Sequence, residues 1–156
     1  MLSKNVCRHV ISAGLAALLL SGCASSGPTG SEILTGSIQP QQARVVVYRT
    51  AIMGFAVQPS YVLDGKAIAP SQPNGFLVCD VRPGKHTVSV DNVGLNVSLG
   101  SSTDRTEVTV AAGETRFIRA DINPGLTVGF VSLTQVTGEQ GKADTATLYK
   151  QPEQCR

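Results

Sequence analysis

From Ala43 onward, short β-branched runs alternate with residues that reverse the chain, and this rhythm leaves little room for anything but stacked sheets. Val45-Val46-Val47-Tyr48 is apolar on both faces, as a central strand would be. Ser60–Leu63 and Lys66–Ala69 flank Asp64-Gly65, a pair that supplies the positive φ of a type I′ hairpin turn. Phe76–Val81 is a second run apolar on both faces. Arg82-Pro83-Gly84-Lys85 is a turn, because proline fixes φ at its second position and glycine follows. Val88 and Val90 then alternate with Thr87 and Ser89, the pattern of a half-exposed strand.

The same rhythm continues through Leu95, Val97 and Leu99, through Thr106–Ala111, and past Ala112-Gly113-Glu114 into Arg116–Asp121. Asn123-Pro124-Gly125 turns the chain into Leu126–Leu133, and Leu148 and Tyr149 suit a last edge strand. Glu139–Asp144 has helical composition, but Gly138 and Gly141 argue against a stable helix and favour a flexible surface turn. The expectation is an all-β chain: an antiparallel β-sandwich of about seven or eight short strands with little helix. With three Tyr, four Phe and no Trp, its core must be mainly Val, Leu and Ile.

The N-terminus is of another kind. Lys4, Arg8 and His9 precede an apolar stretch from Val10 to Leu20, the layout of a secretory signal peptide. The stretch is shorter than the roughly 20 residues of a transmembrane helix. Leu20-Ser21-Gly22-Cys23 closes it as a bacterial lipobox: cleavage before Cys23 and acylation of its thiol, thioether and palmitate-type chains together, would anchor the protein. Conventional cleavage after Ala24, or an uncleaved weak anchor, are the competing readings. Acyl chains contribute about 0.8 kcal/mol per buried methylene, so two or three of them hold firmly. Ala24, rather than Asp, after Cys23 resembles the sorting pattern of outer-membrane lipoproteins that face the periplasm. The domains expected are a signal peptide at 1–22, a lipidated flexible tether at 23–42, a β-sandwich at 43–150 and a tail at 151–156. A Ser-, Gly-, Pro- and Gln-rich coil like 24–42 spans roughly 25 Å and would stand the sandwich off the membrane, with Ile33 and Leu34 as incidental apolar content or, as the weaker alternative, a short docking helix.

Processing changes the charge and the cysteines. Lys4 and Arg8 leave with residues 1–22, so 13 − 2 = 11 basic residues face 11 acidic ones. A neutral domain has no electrostatic footprint for nucleic acid. Cys7 also leaves and Cys23 is acylated, so Cys79 and Cys155 remain as an even pair in an oxidising compartment. A bridge would close 155 − 79 = 76 residues, worth at most about 4.5 kcal/mol in the chain-entropy picture, and would pin Gln151–Gln154 to the sheet. The alternative is a small buried Cys79 and a loose Cys155 thiol.

Tyr61-Val62-Leu63-Asp64-Gly65-Lys66 and Val81-Arg82-Pro83-Gly84-Lys85-His86 carry a resemblance. With Val45–Arg49, Gly75-Phe76 and Ala112–Arg119, they make residues 43 to 150 similar to bacterial lipoproteins of the domain of unknown function DUF2846, in style PEGA-like β-sandwiches. The resemblance implies a fold and no enzymatic role.

A search for chemistry returns little. His86 is the one histidine left after processing, and its position suits a hairpin residue bonded to a nearby carbonyl, with Asp80 or Arg82 beside it, more than a catalytic base. There is no G-x-S-x-G around Ser98. One histidine and two paired cysteines do not make a zinc site, and Asp104 and Glu107 lack calcium-loop spacing. Gly138–Lys142 has the wrong spacing for a phosphate loop. Asp64, Asp80, Asp91 and Asp121 sit at strand ends or turns, where aspartate bonds local backbone. Arg116 and Arg119 fall on opposite faces of one strand. No catalytic, cofactor or metal residue is assigned. The expectation is a lipid-anchored envelope protein that is not an enzyme, held by membrane lipid through Cys23. It would present an edge strand or the loops at 53–59 and 100–104 to an envelope partner. A cell-wall or small-ligand binder with a pocket between sheets is the alternative, and a hydrolase using acidic turn residues comes third.

Overall fold

The computed structural model describes residues 27–51, 58–91, 104–123 and 130–155. The signal segment 1–22, Cys23, the strand expected at 95–99, the turn at 124–125 and most of the loops at 53–59 and 100–104 lie outside the described residues. Nine strands are described: β1 (Ala43–Arg49), β2 (Ser60–Leu63), β3 (Lys66–Pro70), β4 (Gly75–Val81), β5 (Gly84–Asp91), β6 (Asp104–Val110), β7 (Thr115–Asn123), β8 (Phe130–Val136) and β9 (Tyr149–Lys150). Two helices join them, α1 (Gly30–Ile33) and α2 (Gly138–Thr145). A five-stranded sheet has the order β8-β7-β1-β4-β9 and a four-stranded sheet the order β3-β2-β5-β6.

The chain is an all-β sandwich, and its turns form where the sequence places them. Asp64 and Gly65 take φ of 50° and 83° between β2 and β3, which only a residue tolerant of the left-handed region accepts cheaply. The five-stranded sheet is mixed, however, and not antiparallel throughout: β1 runs parallel to β7, and β4 parallel to β9. Parallel neighbours need long connections, and both pairs have them. The chain crosses the second sheet between β4 and β7, and α2 returns it between β8 and β9.

Strand alternation divides the apolar residues between two cores. Val45, Val47, Leu77, Cys79, Ile118 and Ala120 face the other sheet and meet Tyr61, Val88, Val90 and Val108 there. Val46, Tyr48, Phe76, Val78 and Phe117 face the opposite way and are covered by Leu148, Ile33 and Leu34. The middle of the five-stranded sheet is therefore buried on both faces, which explains why β1 reads as an unbroken apolar run. On the four-stranded sheet, β6 alternates buried Val108 and Val110 with exposed Arg105, Glu107 and Thr109.

Two local expectations are corrected. Gly138–Thr145 is a helix and not a flexible turn. Thr137 caps it by accepting from the Gln140 N–H at 3.2 Å, and Gly141 faces the sheet so closely that a Cβ there would run into the Phe117 ring. The glycine that argued against a helix is what lets this one touch the sheet. Residues 27–42, expected as flexible tether, pack on the domain instead. Lys150 N–H donates to the Pro28 carbonyl at 2.9 Å, and Gly30 and Ser31 N–H groups donate to the carbonyls of Leu148 and Ala146, each at 3.2 Å.

Candidate functional site

A groove of about 1050 Å³ lies on the outer side of the five-stranded sheet. Its floor comes from β1 and β4. Arg44 and Asp80 are paired across the antiparallel ladder, on the face that carries Val46 and Val78. Nε of Arg44 donates to Oδ1 of Asp80 at 2.7 Å and Nη2 to Oδ2 at 3.2 Å, a two-pronged pair with stronger geometry than a single contact. Nη1 also donates to the Gly36 carbonyl at 3.4 Å, which ties the N-terminal segment to the floor. The Arg44 side chain is 10% exposed and that of Asp80 35%, so the carboxylate is the accessible half.

One wall is the chain's end. Lys150 Nζ lies 2.9 Å from both carboxylate oxygens of Glu153, and Gln154 and Cys155 complete that side. Cys155 is bridged to Cys79 across 76 residues, with a Cα–Cα distance of 5.4 Å. The tail is also tied by backbone: Gln151 N–H donates to the Phe76 carbonyl at 2.9 Å and Gln154 N–H to that of Ile68 at 3.0 Å. The opposite wall comes from Ile33, Gln39 and Gln42, with Lys66 at the rim. Charges in the floor and wall are matched in pairs, and the side-chain amides offer donors and acceptors in both directions. Such a lining suits a neutral or zwitterionic polar ligand better than a strongly charged one.

His86 lies elsewhere, where the β2–β3 and β4–β5 turns meet. Its Nδ1 is 2.6 Å from Oδ2 of Asp64 and its Nε2 2.7 Å from the Arg82 carbonyl. Asp64 also accepts from the Thr87 N–H at 2.8 Å. Burial pushes the imidazole pKa down, but the Asp64 bond and charge and the Arg82 carbonyl outweigh it, and the net direction is up. Both ring nitrogens face acceptors, so the doubly protonated form satisfies the site. The carbonyl partner expected from the sequence is present, and the carboxylate is Asp64 and not Asp80. Asp80 and Asp121, expected to bond local backbone, are held by Arg44 and Arg119 instead, the latter at 2.9 Å.

A third polar cluster fastens α2. Tyr48 donates its hydroxyl to Asp144 at 2.6 Å, and Gln140 Nε2 donates to the other Asp144 oxygen at 2.5 Å. Burial, followed by the Asp144 bond, raises the Tyr48 pKa and keeps the phenol neutral. Arg49, at the inner end of β1, is fully buried and donates Nη1 to the Ser71 carbonyl at 2.8 Å. Sequence reading did not single out Arg44, Arg49 or the groove glutamines. The available signal was the polar member at each end of an apolar strand.

The pocket expected between the sheets is not where the described cavity lies, because interdigitated valine, leucine and tyrosine side chains fill that space. The flanks are also crossed. Leu133 N–H donates to Asp104 at 2.7 Å and Gln135 Nε2 to the Glu107 carbonyl at 2.7 Å on one side, and the bridged tail spans the other. The groove, more than a sheet edge, is the concave surface that the described residues leave open.

Comparison with known proteins points to a family without an assigned activity. A family profile described as a protein of unknown function (DUF2846) matches residues 39–132. An uncharacterized protein of Haemophilus influenzae is 30% identical over 137 residues, which cover 85% of this chain and 77% of that protein. No solved structure matches.

Proposed function

The chain belongs to the DUF2846 family of proteins of unknown function, and from that premise we propose that it is a lipid-anchored, non-enzymatic binding module of the bacterial envelope. The observation that carries the reading is Leu20-Ser21-Gly22-Cys23 at the end of a charged-then-apolar leader. The Cys79–Cys155 bridge supports it, since such bonds persist outside the reducing cytosol. Acylated Cys23 holds the protein in the outer membrane on the periplasmic side, and the groove around Arg44, Asp80, Lys150 and Glu153 meets an envelope partner.

The test is intact mass of protein recovered from envelopes, together with fractionation of Cys23→Ser. A chain that begins at Cys23 with acyl mass added, and a variant released into the soluble periplasmic fraction, are the expected results. A retained leader, or a variant that stays in the membrane pellet, overturns the reading.

A further inference from the structure

The N-terminal segment crosses β9 too closely for ordinary residues. At Gly27 a Cβ would sit 2.6 Å from the Lys150 carbonyl oxygen, and at Gly30 it would clash with the Thr145 carbonyl. Real Cβ atoms do not approach backbone oxygen so closely, so both positions need glycine for the segment to lie where it does. What the close approach secures is a backbone seam: Thr29 bridges Tyr149, Lys150 donates to Pro28, and Gly30 and Ser31 donate to Leu148 and Ala146. Glu32 turns back to accept from the Thr29 N–H at 2.6 Å, and Ile33 and Leu34 settle on the outer core. Tether composition conceals a docked clip.

From this clip, and resting on the proposed acylation of Cys23, we infer that β9 and Tyr149 lie against the lipid surface in the anchored protein. Cys23 precedes Gly27 by 27 − 23 = 4 residues, and four residues reach at most about 14 Å. The domain therefore cannot swing on a long leash. It is held close, by the side where the clip begins.

A second feature marks the same place. Tyr149, 38% exposed, is the one large exposed hydrophobic among the described residues, and it sits directly opposite Thr29. Tyrosine, with an apolar ring and a polar tip, suits the headgroup layer of a bilayer. The adjacent Lys150 is matched by Glu153, so contact does not depend on anionic lipid. The acyl chains supply the affinity, and the clip supplies the orientation. Lys150 lines the groove as well, which puts the groove mouth beside the membrane and not at the far end of the sandwich.

The chain contains no tryptophan, so Tyr149→Trp gives a single fluorescent reporter in the otherwise complete, acylated protein. The control is Thr109→Trp on the open face of β6. Both proteins are purified from envelopes, confirmed as acylated by intact mass, and reconstituted into vesicles whose lipids carry bromine near the headgroup. The expected result is quenching several-fold stronger for Tyr149→Trp than for Thr109→Trp. Adding Gly30→Val to Tyr149→Trp should abolish the difference while the protein stays in the membrane fraction, and Gly27→Val serves if Gly30→Val does not fold. Equal quenching of the two reporters in acylated protein overturns the inference and leaves the anchor reading intact. Absence of acyl mass overturns both.

Discussion

The two sheets meet the demand to bury apolar residues in different ways. The four-stranded sheet buries one face against its partner and leaves most of the other open at its β6 edge, where buried and exposed residues alternate. The five-stranded sheet buries both faces in its middle, and its second cover is built from α1, α2 and Leu148. Those covering segments are not apolar stripes: α2 reads Gly-Glu-Gln-Gly-Lys-Ala-Asp-Thr. It covers the sheet by bringing backbone into contact through Gly141 and by one hydroxyl–carboxylate bond, Tyr48 to Asp144. The lesson is that a sheet face can be shielded by close approach and a few polar fasteners, without a hydrophobic helix. Groove, disulfide, the segment from Gly27 and the tail to Cys155 all belong to this doubly covered sheet.

That contrast makes a steep prediction. Phe117 fills the space beneath Gly141, and Phe117→Ala should destabilise the domain by about 3–5 kcal/mol, since the helix cannot collapse into the gap. Thr109→Ala, on the open face of the other sheet, should stay within about 0.5 kcal/mol of the parent. Urea unfolding midpoints measure both. Similar midpoints for the two variants would show that the cover of the five-stranded sheet carries no stability.

The bridge sharpens the comparison next. Cys155→Ser should cost about 2–4 kcal/mol, below the 76-residue entropy figure because the tail keeps its backbone bonds to Phe76 and Ile68. The parent protein in reductant should fall to the variant's midpoint. If reductant leaves the parent unchanged, the tail is held by its hydrogen bonds alone.

What was legible in the residues follows the same division. Strand periodicity and turn chemistry located β1 to β7 and the hairpin at Asp64-Gly65, because alternation and positive φ are local properties. The Cys79–Cys155 pairing was the favoured reading of the cysteines, with a buried Cys79 and a loose Cys155 as the alternative, and the bridge is present. The parallel pairings were not legible, since nothing local in Val45–Tyr48 names Arg116–Arg119 as a neighbour. The two helices were legible only as the weaker alternatives, a docking helix at Ile33 and Leu34 and a helical turn at Glu139–Asp144, because Gly27, Gly30 and Gly141 look like breakers until the surface they approach is known. The groove was hidden for a related reason. Arg44 and Asp80 lie 36 positions apart and become a pair only through strand register.

His86 gives the smallest expected effect and a clean sign. Its folded pKa is raised, so protonation favours the folded state: the stabilisation is complete below the unfolded value of about 6.5 and fades as pH rises through the folded one. The groups that face the ring are Asp64 on the β2–β3 turn and the Arg82 carbonyl on the β4–β5 turn, while the nearby Lys85 is engaged with Glu107 at 2.7 Å. Asp64 is nearly half exposed, so solvent screening keeps the gain below about 1 kcal/mol. The parent should therefore outlast His86→Gln by a wider margin at acid pH than at alkaline pH. The chain has one other histidine, His9, so the resonance that disappears in His86→Gln identifies the ring whose titration is followed. A midpoint below that of a free histidine would mean that burial, and not Asp64, governs this turn. In that case the turn of the open sheet would be pinned by packing, whereas the covered sheet has its polar fastener in Tyr48 and Asp144.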